Sequence, residues 1–191
     1  MAETVGEGAR VQFRIRQASA ADAPALAELA ALTFPLACPP TSPKTEVAAF
    51  IQAHLGPDTF AAYLADPLRV IFIAEDQAPS TTGRLLAYTI LVDTPPVDAD
   101  VAGLVSAPDA IEFSKCYAHP DAHGHGVGAS IMAASLDWIA SQGRQHTWLG
   151  VNSENERAQK FYRKHGFAVV GTRSFQLGKQ IEHDYVMVRS D

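Results

Sequence analysis

The chain is predicted to fold as an α/β domain, a single mixed sheet with helices on both faces. Three observations predict it. Residues 111–167 read strand, glycine loop, helix, strand, helix, and a strand–helix–strand unit joins parallel strands by a right-handed crossover. Apolar runs on either side, at 69–92 and 168–188, read as antiparallel hairpins. No repeat or linker divides the 191 residues, which suffice for one domain with a sizeable core. Residues 1–10 are polar and contain glycine, so they read as a flexible N-terminal tail rather than a signal peptide, with the domain at 11–191.

Taken in order, residues 11–16 alternate apolar and polar as a short strand does. Ser19 then precedes an alanine- and leucine-rich helix, with Asp22 standing in for the glutamate of a capping box. That helix is expected to stop at Phe34, before Pro35. A proline-rich loop covers 38–43, a second helix 45–55, and Gly56-Pro57-Asp58 restarts a third over 59–65. Strands are predicted at 69–75 and 84–92. Residues 93–110 hold Pro95, Pro96 and Pro108 and read as a long irregular loop, of the kind that is often functional or mobile. Strand 111–118 ends at His119-Pro120-Asp121, a turn signal. Val127, Ile131, Ser135 and Ile139 form one stripe of the next helix, which ends near Gly143. A strand at 146–151, a helix at 155–165 and strands at 168–177 and 181–188 complete the chain, with a turn at 178–180.

Hydrophobic residues make up 47% and charged ones 19%, as in soluble globular proteins. No apolar run approaches the roughly 18 residues of a membrane helix. Two cysteines in different elements, Cys38 and Cys116, fit reduced thiols in the cytoplasm better than a disulfide framework. The net charge of −6 argues against nucleic acid as a partner. It either steers a cationic substrate or is ordinary solubility charge.

The glycine loop, His123-Gly124-His125-Gly126-Val127-Gly128-Ala129, has a physical purpose. Glycines let a ligand approach the backbone closely. The first N–H groups of the following helix have no internal partner and sit at the positive end of its dipole, so together they form a phosphate cradle. A P-loop would need Lys-Ser or Lys-Thr where Ala129-Ser130 stands. In the dinucleotide fingerprint the third glycine comes one residue later, and an acid is expected near Arg144.

With Asn155-Glu156-Arg157-Ala158-Gln159-Lys160-Phe161-Tyr162-Arg163-Lys164-His165-Gly166-Phe167, this loop resembles the GCN5-related N-acetyltransferases. Their signature is Arg/Gln-x-x-Gly-x-Gly/Ala, followed by Asn-x-x-Ala-x-x-Phe-Tyr-x-x-x-Gly-Phe. The second half matches throughout; the first departs at His123, which leaves backbone donors intact. The resemblance spans roughly residues 13–189. It implies an N-acetyltransferase whose sheet is splayed between the strands at 111–118 and 146–151, with acetyl-CoA in the gap as co-substrate.

It also implies site residues. His123 through Ala129 and Asn155 would hold the coenzyme, and Cys116, Tyr117 and Ala118 would offer backbone groups to its pantetheine arm. Tyr162 matches the family tyrosine near the coenzyme sulfur and would protonate the leaving thiolate. Glu112 matches the glutamate that serves as base in the histone-acetylating branch; water is the alternative. Cys116 lacks the adjacent base and orienter that a nucleophile needs, so it reads as structural. His119, His123 and His125 lack the further ligand and supporting shell of a metal site, and no metal is expected.

The stretches 31–34, 56–58, 148–151, 174–178 and 184–187 look like the bacterial branch that includes spermidine and spermine acetyltransferases. The acceptor would then be a small-molecule amine, a polyamine first, with Glu46, Asp93, Glu182 and Asp184 as candidate anions for it. Protein or peptide amines, and a non-catalytic acyl-CoA-binding module, are the alternatives. A homodimer is left open.

Overall fold

The computed structural model describes residues 11–190. The tail expected at 1–10 lies outside them. Seven strands form one sheet: β1 (Phe13–Gln17), β2 (Arg69–Asp76), β3 (Leu85–Val92), β4 (Ile111–Ala118), β5 (His146–Asn152), β6 (Ala168–Leu177) and β7 (Gln180–Ser190). Their order is β1-β2-β3-β4-β5-β7-β6. Only β4 and β5 run parallel; every other neighbouring pair is antiparallel. The mixed sheet and both hairpins are as predicted. The sequence pattern did not reveal that β7 slots between β5 and β6.

Helices α1 (Ala23–Ala37), α2 (Lys44–His54) and α3 (Pro57–Ala65) are associated with one face of the sheet, and α5 (Val127–Ser141) covers the other. Ile131, Met132 and Ile139 of α5 are fully buried against Leu86, Ala87 and Ile111. Burying each such side chain contributes about 1.5–3 kcal/mol. Leu26, Leu55 and Phe60 pack under Ile73, Tyr88 and Ile90 on the opposite face.

Ser19 starts the first helical segment as expected: its N–H donates to Asp22 Oδ2 at 2.7 Å. A short 3₁₀ turn, Ala20–Asp22, comes first and α1 follows it. Two predictions are corrected. Helix α1 does not stop before Pro35 but continues to Ala37. Pro35 is exposed near the helix end, where a missing N–H and a displaced carbonyl are easily hydrated. The stretch 93–110 is not irregular throughout. It contains the single turn α4 (Ala99–Ala102), capped by Asp98, whose side chain accepts from the Asp100 N–H at 2.9 Å. Val101 and Val105 pack there on Trp148 and Val186.

Candidate active site

Strands β4 and β5 pair only through Ile111 with Thr147 and Glu112 with Trp148. Beyond that point, among the described residues, no β5 residue pairs with β4. On its other edge β4 stays bonded to β3, with an irregularity where Ile90 and Leu91 face Lys115 and Phe113. The parted strands leave a cleft of about 610 Å³. Cys116, Tyr117 and Ala118 line one wall, and Gly150, Val151 and Asn152 the other.

At the α5 end the cleft is a backbone site. Gly124 and Gly126 both have φ of 81°, a left-handed conformation that other residues adopt only with strain. Gly126 is the N-cap of α5. Among the described residues no acceptor takes the N–H of Gly126, Val127, Gly128 or Ala129. The Val127 side chain is wholly buried in the core, so only its backbone can serve a ligand. The N–H of His125 is already bonded to Ala122 O at 3.4 Å, and His125 does not line the cleft. His123 does line it, with Nε2 at 3.2 Å from Ala118 O; burial and the charge of Arg157 hold its pKa down. Arg157 and Lys164 also border the cleft. Free N–H groups at a helix start with cations beside them suit the phosphates of an acyl-CoA.

Helix α6 (Glu156–Lys164) brings two predicted residues to the same wall. Asn155 is its N-cap, Oδ1 accepting from the Ala158 N–H at 3.0 Å, and it borders the cleft. Tyr162 is 9% exposed and lies in the lining. Its ring meets Phe161 and Phe167 edge-on at 5.6 and 5.9 Å. Burial, with the nearby Cys116 and Tyr117, holds its pKa well above the usual phenol value, so it stays protonated at neutral pH. Burial pushes the Cys116 thiol up to about 12, which leaves little thiolate for nucleophilic attack.

Glu112 is placed differently from its neighbours on β4. It lies in the last joined pair, opposite Trp148, and is not among the lining residues. Asp93 is held by Arg144 at 2.9 Å, and Glu46 lies across the turn at Gly178. Neither borders the cleft; Glu182 and Asp184 do. Among the described residues no group of His, Cys, Asp and Glu is arranged to hold a metal.

The acceptor half is made of side chains that the sequence pattern did not bring together. Thr33, Phe34 and Leu36 of α1 and Phe50 of α2 close it on one side. Lys115 borders it too, its pKa lowered by burial against the opposing charge of Glu112. Arg173 crosses from β6 to β5: a Cβ on Gly150 would collide with its guanidinium. A glycine inside a strand is the sequence signal for such an approach.

A cleft between parted parallel strands, with a phosphate cradle at one end and a tyrosine in its wall, defines the class of acyl-CoA-dependent transferases. The particular family follows from the chain itself: residues 25–167 match the acetyltransferase (GNAT) family, and the protein belongs to it. It is 44% identical over 168 residues to an uncharacterized N-acetyltransferase of Mycobacterium tuberculosis, covering 88% of this chain and 97% of that one. The fold matches PaiA N-acetyltransferase of Thermoplasma acidophilum in complex with coenzyme A, with a TM-score of 0.72 at 16% identity over 94% and 99% of the chains. A GCN5-related N-acetyltransferase of Rhodopseudomonas palustris gives 0.71 at 17% identity over 97% and 100%. The protein is an acetyl-CoA-dependent N-acetyltransferase. Among the described residues no helix is long and apolar enough to cross a membrane.

Proposed function

We propose that the acceptor is a small primary amine entering as its cation, with a polyamine as first candidate. The observation that carries this reading is Glu182. It stands in the cleft wall with only the Ser42 hydroxyl bonded to it, at 3.2 Å, and no cation paired to it among the described residues. An unpaired carboxylate in a part-enclosed cleft attracts an ammonium more strongly than one on open surface. Two free cysteines support a reducing, cytoplasmic setting.

In this reading the backbone N–H groups of Gly126, Val127, Gly128 and Ala129 and the side chain of Asn155 hold the coenzyme, and β4 presents its free edge at residues 116–118. The bound thioester supplies the activated acetyl group. Tyr162 gives its proton to the departing thiolate.

The test is kcat/KM for spermidine, a lysine-bearing peptide and a neutral arylamine, at low and high salt. Spermidine should lead, and its advantage should shrink as salt rises. Glu182→Gln should raise the KM for spermidine about tenfold, since a hydrogen bond to a charged group contributes about 1.5 kcal/mol, while the KM for acetyl-CoA holds. Preference for the arylamine, or indifference to salt, would overturn the polyamine reading and leave the acetyltransferase intact.

A further inference from the structure

The sheet face that carries the acceptor half holds a second carboxylate in an unusual setting. Asp184, on β7 opposite Asn152 and Arg173, is 6% exposed yet borders the cleft. Arg173 donates from both Nε and Nη2 to the same oxygen, Oδ2, at 3.3 Å. The other oxygen, Oδ1, has no hydrogen-bond partner among the described residues. The guanidinium is itself held: it lies over the Cα of Gly150 and 5.7 Å from the centre of the Trp148 ring.

We propose that Asp184 is the proton acceptor of the transfer, the group that frees the lone pair of the incoming amine, and that Arg173 is its positioning residue. The inference rests on a cationic amine entering the acceptor half. Glu112 is poorly placed for the same task, because it sits where β4 and β5 are still joined and outside the cleft lining.

Four observations carry the assignment. Asp184 has one oxygen fixed by Arg173 and one unengaged, so its orientation is set and its basic site is available. It shares the cleft lining with Tyr117 and with Tyr162, the proposed acid. The groups facing Asp184 balance toward basicity: burial and Glu182 raise its pKa, against Arg173 and His183, and the result is a carboxyl above its ordinary value. A raised carboxyl narrows the gap to an ammonium near pKa 10.4 and makes proton transfer less uphill. Finally, Lys115 and Arg173 both border the cleft and their like charges oppose each other, so a change at Arg173 should be felt there.

The protons balance as follows. The ammonium gives one proton to Asp184 and becomes a neutral amine. Its nitrogen lone pair bonds to the thioester carbonyl carbon, and the carbon–sulfur bond breaks with its electrons on sulfur. Tyr162 protonates that thiolate. The nitrogen then sheds a second proton, which restores Tyr162, and Asp184 returns its own to solvent. The products are an acetamide, coenzyme A thiol and one proton.

The test combines the pH dependence of kcat with the ¹³C signal of the Asp184 carboxyl, followed without acetyl-CoA. The acidic limb of kcat should coincide with the carboxyl titration. Asp184→Asn should lower kcat about 10²-fold, remove the limb and leave acetyl-CoA affinity unchanged. Arg173→Gln removes a cation that favours the carboxylate, so limb and titration should both move to higher pH; this variant carries the test should Asp184→Asn not fold. A limb that survives in Asp184→Asn and is lost in Glu112→Gln would overturn the assignment, as would a limb that stays put while the carboxyl titration moves. Coenzyme A thiol release across the amine panel tests the underlying reading separately. Turnover of cationic amines with an unmoved limb removes Asp184 alone; no turnover of any cationic amine removes the acceptor class.

Discussion

The half of the cleft under α5 is built from backbone, whereas the half between α1, α2 and β7 is built from side chains. The first uses left-handed glycines, an uncapped helix start and the free edge of β4. The second uses Glu182, Asp184, Arg173 and Lys115, drawn from three strands, with Phe34 and Phe50 from two helices. Backbone donors read a ligand's phosphates and amides and are indifferent to most substitutions. Side chains can change one at a time. A family that keeps one donor and varies its acceptors therefore needs this division: a cradle fixed by φ angles beside a pocket that can be recut without refolding the sheet.

The largest expected effect breaks the backbone half. Gly126→Val forces a β-branched residue into φ of 81° at the N-cap of α5. Such strain costs about 1–3 kcal/mol, and the loop is expected to relieve it by turning the N–H groups away from the cleft. The Kd for acetyl-CoA should rise between about 5-fold and about 10²-fold, each 1.4 kcal/mol being a factor of ten, while the amine site is unaltered. Calorimetry on the folded variant checks this, and unchanged affinity would remove the cradle assignment. Next comes Tyr162→Phe, at the junction of the two halves. The ring packing against Phe161 and Phe167 survives and only the proton is lost. The expected outcome is a kcat lower by about 10²-fold with acetyl-CoA affinity held. A matching loss of affinity would make the tyrosine a binding residue instead.

The backbone half was legible in the sequence for a physical reason. Glycine spacing and the Asn155–Phe167 pattern are local, and local geometry follows from them. Strand β4, helix α5 and strands β5 to β7 fall within a few residues of their predicted bounds. The acceptor half was legible only in fragments. Glu182 and Asp184 could be named as anions, but Glu46 and Asp93 look equivalent in sequence and are placed elsewhere. What separates them is the insertion of β7 between β5 and β6, which brings Asp184 beside Asn152. Lys115 and Arg173 went unnoticed because their meaning depends on burial and on Gly150 two strands away. Pro35 misled for a related reason: propensity alone ends a helix there, and only the packed structure carries α1 on to Leu36 in the cleft wall.

The smallest expected effect sharpens the comparison without touching turnover, because each half carries its own thiol. Cys38 stands at the acceptor end, where burial and then the charge of Glu182 push its pKa up to about 11. Cys116 stands on β4, pushed up to about 12 by burial. An ordinary thiol near 8.5 is about 10% thiolate at pH 7.5, so both should be alkylated more slowly than in the unfolded chain, about 20-fold for Cys38 and about 10²-fold for Cys116 after allowing for the greater nucleophilicity of a more basic thiolate. Cys38 should be the faster of the two. In single-cysteine variants, Cys38→Ser and Cys116→Ser, the two ligands should then protect differently. Acetyl-CoA should slow labelling of Cys116, which lies in the wall between the parted strands, and leave Cys38 accessible. Spermidine should slow labelling of Cys38 by covering it, against a smaller opposite effect, because a cation on Glu182 offsets the charge that raises the thiol pKa. The two effects on Cys38 can be separated, because neutralising Glu182 removes a charge that raises the thiol pKa. In a Glu182→Gln background Cys38 should therefore label somewhat faster when no ligand is present, and spermidine should lose its protection. Mass spectrometry of labelled peptides reads all of these outcomes. If acetyl-CoA alone protected both thiols equally, the cleft would be one undivided site and the contrast between its halves would fall.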